Sequence, residues 1–144
     1  MNESSLWRYV AGGMANKWHA TRIESSAGNG VPDVSFGMIS RYNGRRFNGF
    51  LELKYIPQWP KKDETNLKLP LRPEQKIWIQ TRGGIAGDVW VLCRICDDFI
   101  LFSDAQALCA NQGQTQKWWM MTNYLYCCRR LDFKALAGIL SEGY

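Results

Sequence analysis

Three acid-x-lysine pairs occur in the chain: Glu52 with Lys54, Glu74 with Lys76 and Asp132 with Lys134. A carboxylate and an ammonium two residues apart can act on one substrate only where they share a face. That holds on a strand and fails on a helix. The second and third pairs fall in helix-patterned segments. Glu52 and Lys54 fall in FNGFLELKYI, whose second half alternates strictly. Phe50, Glu52, Lys54 and Ile56 therefore share one face of a strand, and Leu51, Leu53 and Tyr55 the other. Burying charge among apolar neighbours costs on the order of several kcal/mol unless the charge is paired or metal-bound. A mutual ion pair at a sheet edge is one reason for such a placement, and a site is the other.

Upstream, GNGVPDVSFG supplies a second carboxylate. Gly28 and Gly30 let the chain turn, Pro32 stiffens the approach to a strand, and Asp33 begins it. The 18 residues between Asp33 and Glu52 suffice for a hairpin that sets the two carboxylates side by side. A divalent cation relieves their repulsion, and hard oxygen ligands suit Mg²⁺. Lys54, next along, can stabilise charge on a phosphate or orient an attacking water. A turn-capping aspartate is the plainer alternative for Asp33.

The elements that must position these groups follow from pattern. Leu6, Trp7, Val10, Ala11 and Met14 have helical spacing behind a capping Asn2, with Gly12 and Gly13 weakening the second half. Glu3 lies one turn before Leu6 and Trp7, on or beside the apolar face. HATRIESS and PDVSFGMIS read as strands, RYNGRR as a turn, and FNGFLELKYI as the third strand. PQWPKKDETNLKLPL reads as an exposed loop. RPEQKIWIQTRGG reads as a helix started by Pro73 and ended by its paired glycines, on which Gln75 lines up with Trp78, Ile79 and Arg82. DVWVLCRI and DFILF form a hairpin, SDAQALCA and LDFKALAGIL form helices, and QTQKWWMMTNYLYCCRR fits either type. The order predicts an α/β domain with a mixed central sheet flanked by helices.

At 144 residues the chain suits one domain. Its 46% hydrophobic and 22% charged residues describe a globular protein, and the net charge of +5 is compatible with a polyanionic partner. No uncharged apolar run reaches the roughly 18 residues of a membrane span. The start, MNESSLWRYV, carries an acid where an export signal needs basic residues. Five cysteines, an odd number with Cys127 and Cys128 adjacent, read as reduced thiols of a cytoplasmic protein. Cys93 and Cys96, three apart on a strand, face opposite ways and make no metal or redox pair. A lone His19 leaves little for a Ser/His or Cys/His nucleophile, and no glycine-rich stretch has the Gly-Lys-Ser/Thr of a P-loop.

The GVPD of Gly30 to Asp33, the LELK of Leu51 to Lys54 and the later LRPEQKIW together resemble the PD-(D/E)XK nuclease superfamily. A helical Gln soon after the acid-x-Lys strand is similar to the branch of archaeal-type Holliday-junction resolvases and VRR-NUC nucleases, many of them viral. The resemblance covers roughly residues 1 to 95. It implies a restriction-endonuclease-like core over about residues 1–103, followed by a helical, aromatic extension over about 104–144. It also implies a metal-dependent DNA endonuclease selective for branched DNA such as four-way junctions. Other duplex DNA is the alternative substrate, and a non-catalytic DNA-binding module the alternative function.

By that resemblance Asp33 and Glu52 are the metal carboxylates, with the Leu53 carbonyl a further ligand for Mg²⁺ or a substituting Mn²⁺. Lys54 is the catalytic lysine, and Gln75 supports the site. Glu3 matches the acid that such nucleases carry on their first helix, with Glu24 its rival, and Ser25 and Ser26 fall where the resolvases carry a site serine. Such resolvases are homodimers; the aromatic block of Trp118 to Met121 is either core or the dimer interface. Localisation would be cytoplasmic, in the host if the protein is viral. Arg45, Arg46, Lys61, Lys62 and Lys68 would track DNA phosphates.

Overall fold

The computed structural model describes residues 1–23, 30–40 and 42–142. The first helix, α1 (Glu3–Gly13), starts at Asn2, whose side chain accepts the Ser5 N–H at 2.9 Å while Ser5 Oγ accepts the Asn2 N–H. Leu6, Val10 and Met14, each one turn on from the last, form its buried stripe, and the helix carries through Gly12 and Gly13. Strands β1 (His19–Arg22), β2 (Val34–Ile39) and β3 (Arg46–Ile56) run as an antiparallel meander. Helix α2 (Pro73–Ala86) then crosses over, so that β4 (Val89–Ile95) lies parallel to β3, and β5 (Asp98–Ser103) returns antiparallel. After α3 (Asp104–Gln112) and α4 (Gln116–Met121), β6 (Leu125–Cys128) pairs with β5, and α5 (Phe133–Glu142) follows. The product is the α/β architecture the pattern predicts: a mixed six-stranded sheet, ordered β1-β2-β3-β4-β5-β6, with helices on both faces. Among the described residues no helix is long and apolar enough to cross a membrane.

Alternation along the strands divides the core in two. Leu51, Leu53, Trp90, Leu92, Phe99 and Leu101 pack against Leu6 and Val10 of α1 and Leu136 and Leu140 of α5. Val89, Val91, Cys93, Ile100 and Phe102 pack against Ile79 of α2, Ala107 and Ala110 of α3, and Trp119 of α4. Covered on both sides, β4 is apolar at nearly every position, as a parallel-paired central strand must be. Glu52 and Lys54 lie on the second face, in register with Val91 and Cys93.

Several expectations change. Cys96 lies in the turn after β4 (φ 53°), not on the strand with Cys93, and Leu69, in the segment read as an exposed loop, is fully buried. The glycines read as the end of α2 lie inside it; the helix stops at Gly87, which takes the left-handed conformation (φ 63°) and donates its N–H to the Gly83 carbonyl at 3.0 Å. Arg82 and Asp88 span that stop with a two-pronged ion pair at 3.0 and 2.8 Å. Arg46 is the first residue of β3, not a turn residue, because its pairing with Ile39 extends the ladder. Asp33 lies just ahead of β2 instead of beginning it. The segment that fitted either pattern divides: Thr115 caps α4, which buries Trp119 between Trp59 and Phe102, and β6 joins the sheet.

Gly30 ties the approach to β2 onto α2. Its φ is +79°, and a Cβ there would collide with the Glu74 carbonyl in the first turn of α2. Gly44, at φ +69°, has open space around it. Gly44→Ala should therefore cost about 1 kcal/mol of backbone strain, and Gly30→Ala about 3 kcal/mol or more as strain and collision add. Urea midpoints of the two variants measure the difference; equal losses would mean that Gly30 is not pressed against α2.

Candidate active site

The ladder between β2 and β3 ends at Val34 opposite Leu51. One residue earlier in the chain, Asp33 leaves it. Its carbonyl still accepts the Ile23 N–H at 2.6 Å, extending the pairing with β1, but toward β3 its side chain takes over: Oδ2 accepts the Leu53 N–H at 2.9 Å. In extended backbone a residue's N–H and carbonyl face the same way, so the Leu53 carbonyl also faces this side of β3. Into the gap between the parted strands comes Glu3 from the first turn of α1. One carboxylate oxygen each from Glu3, Asp33 and Glu52 lie within 4.8 Å of one another. Glu3 is exposed, Asp33 half-buried and Glu52 buried, so the cluster leads from solvent into the sheet.

Gln75 organises the inner end. At the third position of α2 its Oε1 accepts the Arg72 N–H at 3.0 Å, closing the helix start. The same oxygen accepts from Lys54 Nζ at 3.0 Å, and Gln75 Nε2 donates to Glu52 Oε1 at 3.1 Å. An ammonium and a backbone N–H can only donate, so the amide orientation follows from its partners. Lys54 Nζ also lies 3.7 Å from Glu52 Oε1. Gln75 is thus a buried glutamine whose side-chain hydrogen bonds among the described residues go to the acid-x-lysine pair and its own helix cap.

Glu52 is 1% exposed, and its Oε2 is buried with no hydrogen-bond partner among the described residues. Loss of solvent, then the charge of Asp33, push its carboxyl up from 4.5 to about 9, against the opposing pull of Lys54. A buried carboxylate with one orphaned oxygen, grouped with two further acids, is a donor set that fits a small hard cation. Glu3, Asp33 and Glu52 could hold one. Cys93, on the same face and fully buried, has its thiol pushed up by burial, which leaves it inert.

The other expected residues are dispersed. Arg45 and Arg46 are exposed at the far end of the β2–β3 hairpin; Arg46 is six residues from Glu52, about 20 Å at strand rise. Lys61, Lys62 and Lys68 are exposed on the segment leaving the near end of β3. Glu24, like Ser25 and Ser26, lies outside the described residues. The sequence reading missed the clamp on that segment: Trp59 Nε1 donates to Asp98 Oδ2 at 2.8 Å, and Tyr126 OH to Asp98 Oδ1 at 2.7 Å. No periodicity reports a contact made between a loop and two strands. No protein-family model matches this chain, and no curated protein matches its sequence.

A raised carboxyl pKa means that the folded chain holds the proton more tightly than the unfolded one. Its stabilising contribution is complete below pH 4.5 and is lost as pH rises toward 9. Glu52→Gln removes that loss. Without divalent cations, the variant should exceed the wild type at pH 9 by about 1–3 kcal/mol, with the margin shrinking toward pH 4.5. A margin that stays constant across urea midpoints at these pH values would show that Glu52 does not titrate in this range.

Proposed function

We propose that the protein is a metal-dependent DNA endonuclease of PD-(D/E)XK type, hydrolysing phosphodiester bonds at the Glu3, Asp33 and Glu52 cluster. One observation carries this reading: three carboxylates converge, one of them the buried Glu52 whose Oε2 has no partner among the described residues, with a lysine wired to Glu52 through Gln75. A repulsive acid cluster with a buried orphan oxygen is costly as mere scaffolding. A bound Mg²⁺, or Mn²⁺ in its stead, supplies Lewis-acid charge at the scissile phosphate.

The chain's own residues do the rest. Asp33 is held by the Leu53 N–H, so its second oxygen is free to turn to the gap. Lys54, oriented by Gln75, offers its remaining protons to a phosphate oxygen or to the water that attacks it. Lys61, Lys62 and Lys68, on the segment anchored by Trp59 to Asp98, would meet the DNA backbone beside the site. Branched DNA is the favoured substrate, cut by a homodimer in which exposed Met121, at the end of α4, belongs to the covered surface.

The test sets four-way junction, linear duplex and single-stranded DNA side by side with Mg²⁺, with Lys54→Ala as the control for contaminating nuclease. Paired symmetric nicks in the junction with duplex spared support the dimeric reading; cutting of all three keeps the nuclease and removes the junction preference. No cutting with tight binding would replace the enzyme by a binding module. Asp33→Asn should lower cleavage by about 10²-fold or more while sparing DNA binding, and Gln75→Ala by about 10–100-fold. Mg²⁺ should also raise the thermal midpoint of the wild type and not of Asp33→Asn. Equal Mg²⁺ effects in both proteins would remove Asp33 from the metal site.

A further inference from the structure

At the end of the β1–β2–β3 meander away from the carboxylates, a cleft of about 610 Å³ opens between the sheet and α5. One wall is Trp18, set in place by the rings of Trp7 (centroids 6.3 Å apart) and Phe36 (5.6 Å, stacked). Phe47 lines it too, its ring beneath the Arg45 guanidinium at 5.8 Å, and Tyr42, 84% exposed, is a further lining ring. Lys17, Arg46 and Lys134 line it as well, and among the described residues no carboxylate does, although Asp132 and Glu142 line the adjoining pocket that shares Tyr42 and Lys134. Among the described residues none of these three cations is in an ion pair.

Aromatic walls select a planar ring, and uncompensated cations select an anion. A duplex satisfies only the second demand, because its bases are stacked inside. An unpaired strand satisfies both at once. We propose that this cleft holds an unpaired, phosphate-bearing strand of the nucleic-acid substrate, with a base against Trp18, Tyr42 or Phe47 and phosphates on Lys17, Arg46 and Lys134. The substrate assignment rests on the nuclease reading above, whereas the contacts do not. Along β3 the cleft lies about 20 Å from Glu52, the rise of about six nucleotides of a duplex strand. A substrate with both duplex and unpaired portions could therefore occupy both places.

The experiment measures binding of a labelled, 5′-phosphorylated oligothymidylate to the full chain without divalent cations, with unlabelled thymidine monophosphate as competitor. Tyr42→Ala and Lys134→Ala, both at exposed positions, should each weaken it by roughly tenfold. Neither should alter Mg²⁺-dependent cutting of a fully paired four-way junction. Loss of oligothymidylate binding in the variants, with neither junction nor duplex cut by any form, would refute the nuclease and still support the cleft. Absent binding by the wild type, or unchanged affinity in both variants, would overturn the cleft assignment even if the junction is cut. Competition by the monophosphate at the oligomer's own affinity would make the cleft a free-nucleotide site and overturn the strand.

Discussion

A carboxylate carried into an apolar sheet face is the constraint around which this molecule is arranged. Glu52 sits in register with Val91 on a face otherwise sealed by α2, α3 and α4. Deprived of water, it must find partners, take up a proton or meet a cation. Gln75 and Lys54 satisfy one oxygen and leave the other bare. Because the oxygen of Gln75 that holds Lys54 also closes the start of α2, helix capping and site geometry depend on one atom. The helix cannot shift without disturbing the pair beneath it.

The second requirement is a way in. Ordinary antiparallel pairing would carry β2 past Glu52 and shut the gap. The substitution of the Asp33 side chain for backbone as the acceptor of the Leu53 N–H ends the ladder there without leaving that donor unpaired. Gly30 makes the same departure possible on the other side, since only a residue lacking Cβ lets the approach to β2 lie against the Glu74 carbonyl. The open gap is therefore built from strand geometry, and Glu3 reaches it from a helix whose start is fixed by the Asn2 and Ser5 cap.

The surroundings separate rigid scaffold from contact surface. Two cores grip the sheet from opposite sides, and Asp98 ties the segment after β3 to β6 through Trp59 and Tyr126. Arg45 and Arg46 lie outside this framework at one end of β3, and Lys61 and Lys62 on the segment leaving its other end. The two ends of that strand are about 33 Å apart.

Much was legible in sequence because it depends on short-range periodicity. Period-two alternation put Glu52 and Lys54 on one face, and that is where they lie; helical spacing and Pro73 located α2 and with it Gln75. Where two patterns competed, sequence was insufficient. QTQKWWMMTNYLYCCRR became α4 and β6 because Trp119 fills the space beside Phe102 and an open β5 edge accepts Leu125 to Cys128, and neither vacancy is visible along the chain. Gly83 and Gly84 did not end α2, since the stop is set at Gly87 by its left-handed conformation and the ion pair across it. By itself, then, the sequence determined the element order outside that segment and the side chains that share a face, which are properties of a repeating backbone. The convergence of Glu3 with Asp33 and Glu52, the parting of the strands and the separation of Arg46 from the carboxylates were decided only in three dimensions, because each depends on how elements distant in sequence pack together.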